Sequence, residues 1–290
     1  MIKTFQDIIA DLNNFWSKQD CNLTFPYGIE VGAATSSPYT AINALVKDKW
    51  NVAYVEPSRR PADGRYAKSD YRFQHYFQYQ VILKPAPSDN METYLKSLQT
   101  IGLDPESHDV RFVEDNWENP SLGASGLGWE VWYDGMEISQ YTYFQQLGGI
   151  KLDIPTLEIT YGLERIAMKI QEVDSTWDIL WSKEVKYSDL FKESERQGSE
   201  YNLDKADIKS LEKMFNLFQK EAQNCLKNNI PLVAYDYVLK MSHIFNILDS
   251  RGAVGPLERH NTFSKMREIV KEVLLKSKAS ESAEKPTTEK

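Results

Sequence analysis

The sequence predicts an α+β protein: an antiparallel β-sheet flanked by helices, followed by a C-terminal helical domain. Three observations predict it. Between residues 51 and 160, short runs rich in aromatic and β-branched residues alternate with turn signals such as Asp134-Gly135, as paired antiparallel strands do. Helical spacing of apolar residues flanks these runs at 4–18 and from Leu163 onward. Beyond residue 204 helical periodicity alone continues.

The elements follow in order. Phe5, Ile8, Ile9, Leu12, Phe15 and Trp16 recur at helical spacing over 4–18, with Thr4 as N-cap. After a loop, Ser37-Pro38 reads as an N-cap with proline in the first turn of a short helix to Val46. A strand over 51–56 leads into a basic loop carrying Arg59, Arg60, Arg65, Lys68 and Arg72, with Pro61 and Gly64 as turn residues. The next strand, 73–84, sets Gln74, Tyr76, Gln78, Gln80 and Ile82 on one face and His75, Phe77, Tyr79, Val81 and Leu83 on the other. The second face suits a core. The first suits an anionic ligand with a flat ring, since arginine binds phosphate through a rigid fork of donors. An exposed hairpin with a solvated basic loop fits the same stretch.

Residues 89–101 form an amphipathic helix stopped by Gly102. A short strand over 110–114 runs into a loop with Gly123, Gly126 and Gly128. Strands over 129–133 and 136–146 follow, the second placing Ile138, Gln140, Thr142, Phe144 and Gln146 on one face. A strand over 156–160 enters a helix near Leu163. The domains read as a core over 1–173, an irregular connection over 174–203, a helical domain over 204–278 whose first helix Asp204 caps and whose last ends near Lys276, and a disordered tail over 279–290.

Composition bounds the function. At 41% hydrophobic residues and without an apolar run long enough for a bilayer, the chain reads as soluble. Its N-terminus carries acids in an amphipathic pattern, unlike a signal peptide. Two distant cysteines and four histidines argue against a zinc site and for reduced thiols in a cytoplasmic protein. With 42 acids against 34 bases and a net charge of -8, it is not built to grip a long nucleic acid alone.

Two patterns carry the chemistry: the arginine loop with Arg72-Phe-Gln-His-Tyr76, and Glu158-Ile-Thr-Tyr-Gly-Leu-Glu-Arg165 at a strand-to-helix junction. The pair resembles motifs 2 and 3 of the class II aminoacyl-tRNA synthetases. With SRRPADGRY, DNWENPSLGA, GLGWEVW, FQQ and EITYGLERIAM in order, nearly the whole chain resembles the alpha subunit of bacterial tetrameric glycyl-tRNA synthetase. The resemblance implies a class II synthetase-type sheet and activation of glycine with ATP and Mg²⁺. It also implies an alpha homodimer, with Ser37-Pro38 and the strand 51–57 as its interface motif, and a beta subunit that supplies most of the binding to tRNA(Gly).

It further implies site roles. Arg60 or Arg59 would hold the α-phosphate and the carboxylate. Either Arg72 with Tyr76 or His75 with Tyr79 would supply the aromatic that stacks on adenine, the polar face favouring Tyr76. Arg165 would contact the γ-phosphate. Trp117, Gln140 and Glu158, with Gln78, Gln80 and Thr142, would surround glycine, Glu158 pairing with the ammonium. Glu137 and Glu130 would be the candidate magnesium ligands. The sequence departs from the family at 67–72, where Ala67-Lys-Ser-Asp-Tyr-Arg72 replaces GENPNR, and at 32–35 and 123–128. A paralogue that binds a ligand without catalysis, or an adenylate-forming ligase with another acceptor, would share these residues.

Overall fold

The computed structural model describes residues 2–284. The predicted N-terminal helix is present as α1 (Phe5–Ser17), with Thr4 and Asp7 in a reciprocal capping box. The short β1 (Asn22–Leu23) leads to a 3₁₀ turn at Ala34–Ser36 and two helical turns, α2 (Pro38–Ala41) and α3 (Asn43–Val46), in place of one helix. Pro38 occupies the first turn as expected, but the Ser37 side chain makes no capping bond. The strands β2 (Trp50–Arg59) and β3 (His75–Lys84) form the predicted hairpin around the arginine loop, so Arg59 belongs to the strand. Then come α4 (Asn90–Ile101), closed by Gly102 in the left-handed conformation, β4 (Val110–Asn119), β5 (Ala124–Tyr133), β6 (Met136–Leu147), β7 (Ile150–Lys151) and β8 (Leu157–Gly162).

The strands make one sheet in the order β1-β2-β3-β8-β6-β5-β4, with β7 paired to β6. Every pair is antiparallel except β1 with β2. Alternation along β3 decides the layers. Tyr79, Val81 and Leu83 join Phe5, Leu12 and Trp16 of α1 and Tyr94 and Leu98 of α4 in one core, beneath the sheet. The opposite face carries Gln78 and Gln80 and is closed toward one end by an apolar cluster that includes Ile82, Phe144 and the C-terminal helices.

Three expectations are corrected here. The loop read over 115–128 is strand on both sides of a tight turn, because β4 continues to Asn119 and β5 begins at Ala124. Gly126 and Gly128 are therefore strand residues, and a Cβ on Gly128 would lie 2.0 Å from the Tyr141 carbonyl oxygen of β6. The shared face predicted for β6 is broken. Register shifts between Val131 and Trp132, leaving Ile138 as an extra residue that joins the core of Tyr141, whereas Phe144 joins the other cluster. The stretch 174–203 is not irregular: after α5 (Leu163–Gln171) and a 3₁₀ turn at Thr176–Asp178, α6 (Tyr187–Glu200) packs Tyr187 into the core.

The C-terminal helices are α7 (Ile208–Lys227), α8 (Pro231–Ser250) and α9 (Pro256–Glu284). Asp207, not Asp204, caps α7, accepting from the Ser210 N–H; Asp204 lies within a π-helical turn and accepts from the Tyr66 hydroxyl. The helix α9 passes Lys276 and takes in the first six residues of the predicted tail, with Lys47 bridging to Glu281; residues 285–290 lie outside the described residues.

Gly128→Ala should cost roughly 1–3 kcal/mol, because β5 and β6 must part to admit a methyl group. The urea midpoint measures it, and a midpoint equal to wild type would contradict the close approach.

Candidate functional site

Strand alternation and register lay polar side chains across the upper face of the sheet in rows. Glu56 of β2 stands opposite Gln78 of β3, which stands opposite Gly162 of β8. The next row runs Tyr54, Gln80, Thr160, Gln140 and Glu130, and the third runs Ile82, Glu158, Thr142 and Gly128. All of these polar groups on β2, β3 and β8 are buried, so each needs a partner. Gln78 Oε1 accepts from the Ala34 N–H at 2.9 Å and from Ser58 Oγ at 3.1 Å. Thr160 Oγ1 donates to Gln80 Oε1 at 2.7 Å. Glu158 Oε1 accepts from Thr35 Oγ1 at 2.6 Å and from Gln80 Nε2.

Burial pushes the Glu158 carboxyl up to about 7, against the opposing pull of those two donors. Glu56, also buried, is pushed up to about 7 by desolvation. Both carboxyls therefore lie near the midpoint of titration at neutral pH. A cation brought beside either one would favour its ionised form.

A cleft opens beside these rows, at the start of β3 where the arginine loop ends. Arg60, Arg72, Tyr76, Gln78, Gln140 and Arg165 line it, with Glu137. The Arg60 guanidinium lies over the Tyr76 ring, 5.2 Å from its centroid, and its Nε donates to the Gly32 carbonyl at 3.0 Å. Tyr76 donates its hydroxyl proton to the same carbonyl at 3.2 Å. Across the cleft, Arg165 at the start of α5 donates through Nη1 to the Glu137 carbonyl at 3.0 Å and to its carboxylate at 2.6 Å. Three guanidinium groups, a flat ring and carboxylates thus face one opening.

The structure sorts the sequence-predicted residues. Alternation along β2 places Arg60 in the row of Glu56 and Ser58, and Arg60 lines the cleft while Arg59 does not. Tyr79 is ruled out as a cleft residue: it is fully buried below the sheet and donates to Asn13 Oδ1 at 2.9 Å. His75 is half-buried among aromatic rings, and desolvation pushes its imidazole down to about 4. Gln80, Thr142 and Glu158 sit in the buried rows beside the cleft rather than in its wall. Trp117 is not brought to the cleft. It pairs in β4 with Gly126 and packs edge-on against Phe144, 6.1 Å between ring centroids. Glu130 is likewise absent from the lining and accepts from Trp132 Nε1 at 3.0 Å.

Sequence reasoning missed Thr35, Thr160, Asp63 and Glu164. Thr160 was legible, since period two groups it with Glu158 and Gly162. Asp63 faces Arg72 across 3.8 Å at the cleft mouth. Thr35 reaches Glu158 from 123 positions away, and no local signal announces it.

The comparisons with known proteins now bear on this site. A profile of the glycyl-tRNA synthetase alpha subunit family matches residues 5–281. The chain belongs to that family. The glycine–tRNA ligase alpha subunit of Petrotoga mobilis is 50% identical over 266 residues, which make up 92% of this chain and 93% of that one. Among solved structures, two of pyrrolysyl-tRNA synthetase from Desulfitobacterium hafniense superpose with TM-score 0.42. One, of the PylSc protein, is 9% identical and covers 62% of this chain and 74% of that one. The other is 12% identical and covers 63% and 75%. Membership of the glycyl-tRNA synthetase alpha subunit family rests on the profile and the Petrotoga relative.

In this family member, the raised Glu158 carboxyl has a consequence for folding. The folded form keeps a proton that the unfolded chain loses near pH 4.5, so the contribution is full below pH 4.5 and is lost as pH rises toward 7. The whole effect is up to ~3 kcal/mol. Glu158→Gln, which holds no titrating group, should make the fall in urea stability between pH 4.5 and 7 shallower than in wild type. An equal slope in both proteins would contradict the buried, proton-retaining state of Glu158.

Proposed function

We propose that the chain is the catalytic alpha subunit of a glycine–tRNA ligase. It joins the glycine carboxylate to the α-phosphate of ATP, releasing pyrophosphate, and with a beta subunit passes glycine to tRNA(Gly). The observation that carries this reading is the 50% identity, over 92% of the chain, to a glycine–tRNA ligase alpha subunit. The cleft supplies a physical account of it. Adenylation needs reactants held in line and negative charge stabilised, and the reaction requires no nucleophilic side chain.

In this reading Tyr76 offers its ring to adenine, and Arg60, whose guanidinium lies over that ring, lies beside it for the α-phosphate and the carboxylate. Arg72 enters the same cleft, and Arg165 meets the far end of the triphosphate. Glycine lies toward the buried rows, its ammonium drawn to Glu158, which ionises in response. Gln78, Gln80, Gln140 and Thr142 crowd the space around it. The methylene by which Gln140 exceeds an asparagine helps to exclude a methyl side chain, an effect worth roughly 1–3 kcal/mol.

Magnesium fits the cleft in part. Of the carboxylates lining the cleft, Glu137 is the candidate ligand, already shared with Arg165, and magnesium takes one or two protein carboxylates with the remaining ligands from phosphate and water. When bound it would neutralise phosphate charge. Among the described residues no group of three metal-ligating side chains converges. The same reading makes the chain cytoplasmic and pairs it with a second alpha subunit. No helix among the described residues is long and apolar enough to cross a membrane.

The test is amino-acid-dependent ATP–pyrophosphate exchange by the purified chain, alone and with a beta subunit, using glycine, alanine and serine. Glycine alone should support exchange, and Arg165→Ala should lower kcat by about 100-fold or more, the usual cost of removing one charge-stabilising donor. Exchange with none of the three, in the presence of the beta subunit, would contradict the reading in favour of a ligand-binding paralogue.

A further inference from the structure

The strand β3 loses a neighbour partway along its length. At Gly162, opposite Gln78, β8 ends and turns into α5, so the residues of β3 before Gln78 have β2 on one side and no strand on the other. Backbone N–H groups cut off from both strand and water need acceptors. Two buried glutamates serve. Glu164, in the first turn of α5, accepts from the Phe77 N–H at 2.8 Å and from the Tyr187 hydroxyl at 2.8 Å. Glu195, on α6, accepts from the Gln74 N–H at 2.8 Å and from Ser199 Oγ at 3.3 Å.

The second link leads to the arginine loop. The Gln74 carbonyl accepts from the Arg60 backbone N–H at 2.7 Å, so the backbone of one residue, Gln74, joins Glu195 to Arg60. The Gln74 side chain is held by the same segment: Asn202 Nδ2 donates to Gln74 Oε1 at 3.4 Å, and a Cβ on Gly198 would lie 2.6 Å from Gln74 Nε2. That segment is in turn tied to the C-terminal helices. Ser250 Oγ donates to the Asn202 carbonyl at 3.3 Å and Arg251 Nη1 to the Leu203 carbonyl at 2.8 Å. Glu195 itself does not line the cleft.

We propose that Glu195 is a positioning residue for the ATP end of the site, fixing the start of β3 and the backbone of Arg60 through the backbone of Gln74. The proposal rests on the function proposed above. It weights the two substrates differently: Arg60 lines the cleft and the buried Gln74 holds its backbone, whereas Gln80 and Glu158 lie further along the sheet, beyond the point where β8 takes over the support of β3.

The experiment is steady-state ATP–pyrophosphate exchange by Glu195→Ala, Glu195→Gln and Asn202→Ala, with ATP affinity measured by calorimetry and folding by circular dichroism. A displaced Arg60 should lower kcat by about 100-fold in Glu195→Ala and weaken ATP binding, while the KM for glycine, whose carboxylate Arg60 also meets but whose ammonium is held elsewhere, rises several-fold less than the KM for ATP. Glu195→Gln keeps an acceptor oxygen and should recover most of the loss. Asn202→Ala, which removes only the side-chain anchor of Gln74, should show the same pattern more weakly. A folded Glu195→Ala protein with wild-type kcat and ATP affinity would overturn the proposal, as would equal losses for both substrates or no rescue by glutamine. If Glu195→Ala does not fold, Asn202→Ala decides, and wild-type behaviour there overturns it. If wild type itself shows no exchange, the proposed function fails separately, and ATP affinity alone reads the brace: weakened in Glu195→Ala supports it, unchanged overturns it.

Discussion

The placement of β3 between β2 and β8 is the constraint on which the rest depends. Period two sends Tyr79, Val81 and Leu83 into the core under the sheet, and the burial of these three side chains makes any slip of register by one residue very costly. The same alternation then has no choice but to lift Tyr76, Gln78 and Gln80 to the other face. A core requirement on one side of the strand thus sets the chemistry on the other.

That upper face carries polar residues in a buried place, which is unfavourable unless each polar atom is satisfied. The satisfaction is reciprocal across strands: Thr160 donates to Gln80, Gln80 and Thr35 donate to Glu158, and Ala34 and Ser58 donate to Gln78. A network of this kind is rigid because any member that moves strands another. Arg60 and Arg165 stand at its edge, one held by the Gly32 carbonyl and the other by Glu137. The guanidinium groups are therefore set in place by the chain itself, which is the arrangement that stabilises developing charge at low reorganisation cost.

Much of this was legible in the sequence, and the reasons for the rest are particular. The two faces of β3 follow from alternation alone, whereas Arg59 and Arg60 are told apart only by the structure, where β2 reaches Arg59 and Arg60 lines the cleft. The strand-to-helix turn after Thr160 could be read from Tyr161-Gly162 and the spacing of Leu163, Ile166 and Ala167. The bulge at Ile138 could not, because nothing in Glu137-Ile-Ser-Gln140 distinguishes a regular strand from a bulged one. Gly126 and Gly128 suggested a loop, yet they serve a close strand approach that depends on Thr142 and Tyr141. The helix α6 escaped notice because its apolar face is thin, with Tyr187 and Phe191 at one end and a buried glutamate, Glu195, further along. Trp117 suggested a ligand contact, but β4 delivers it to Phe144. Each miss is a long-range partner overriding a local signal.

The central claim is that one polar sheet face holds ATP at its open end and glycine at its buried end. A crystal structure of the chain with a non-hydrolysable glycyl-adenylate analogue tests it most directly. The account predicts adenine against Tyr76, the phosphate mimic beside Arg60 and the glycyl ammonium directed toward Glu158. An analogue bound away from this cleft, or bound in it with the ammonium turned away from Glu158 and the ring away from Tyr76, would contradict it.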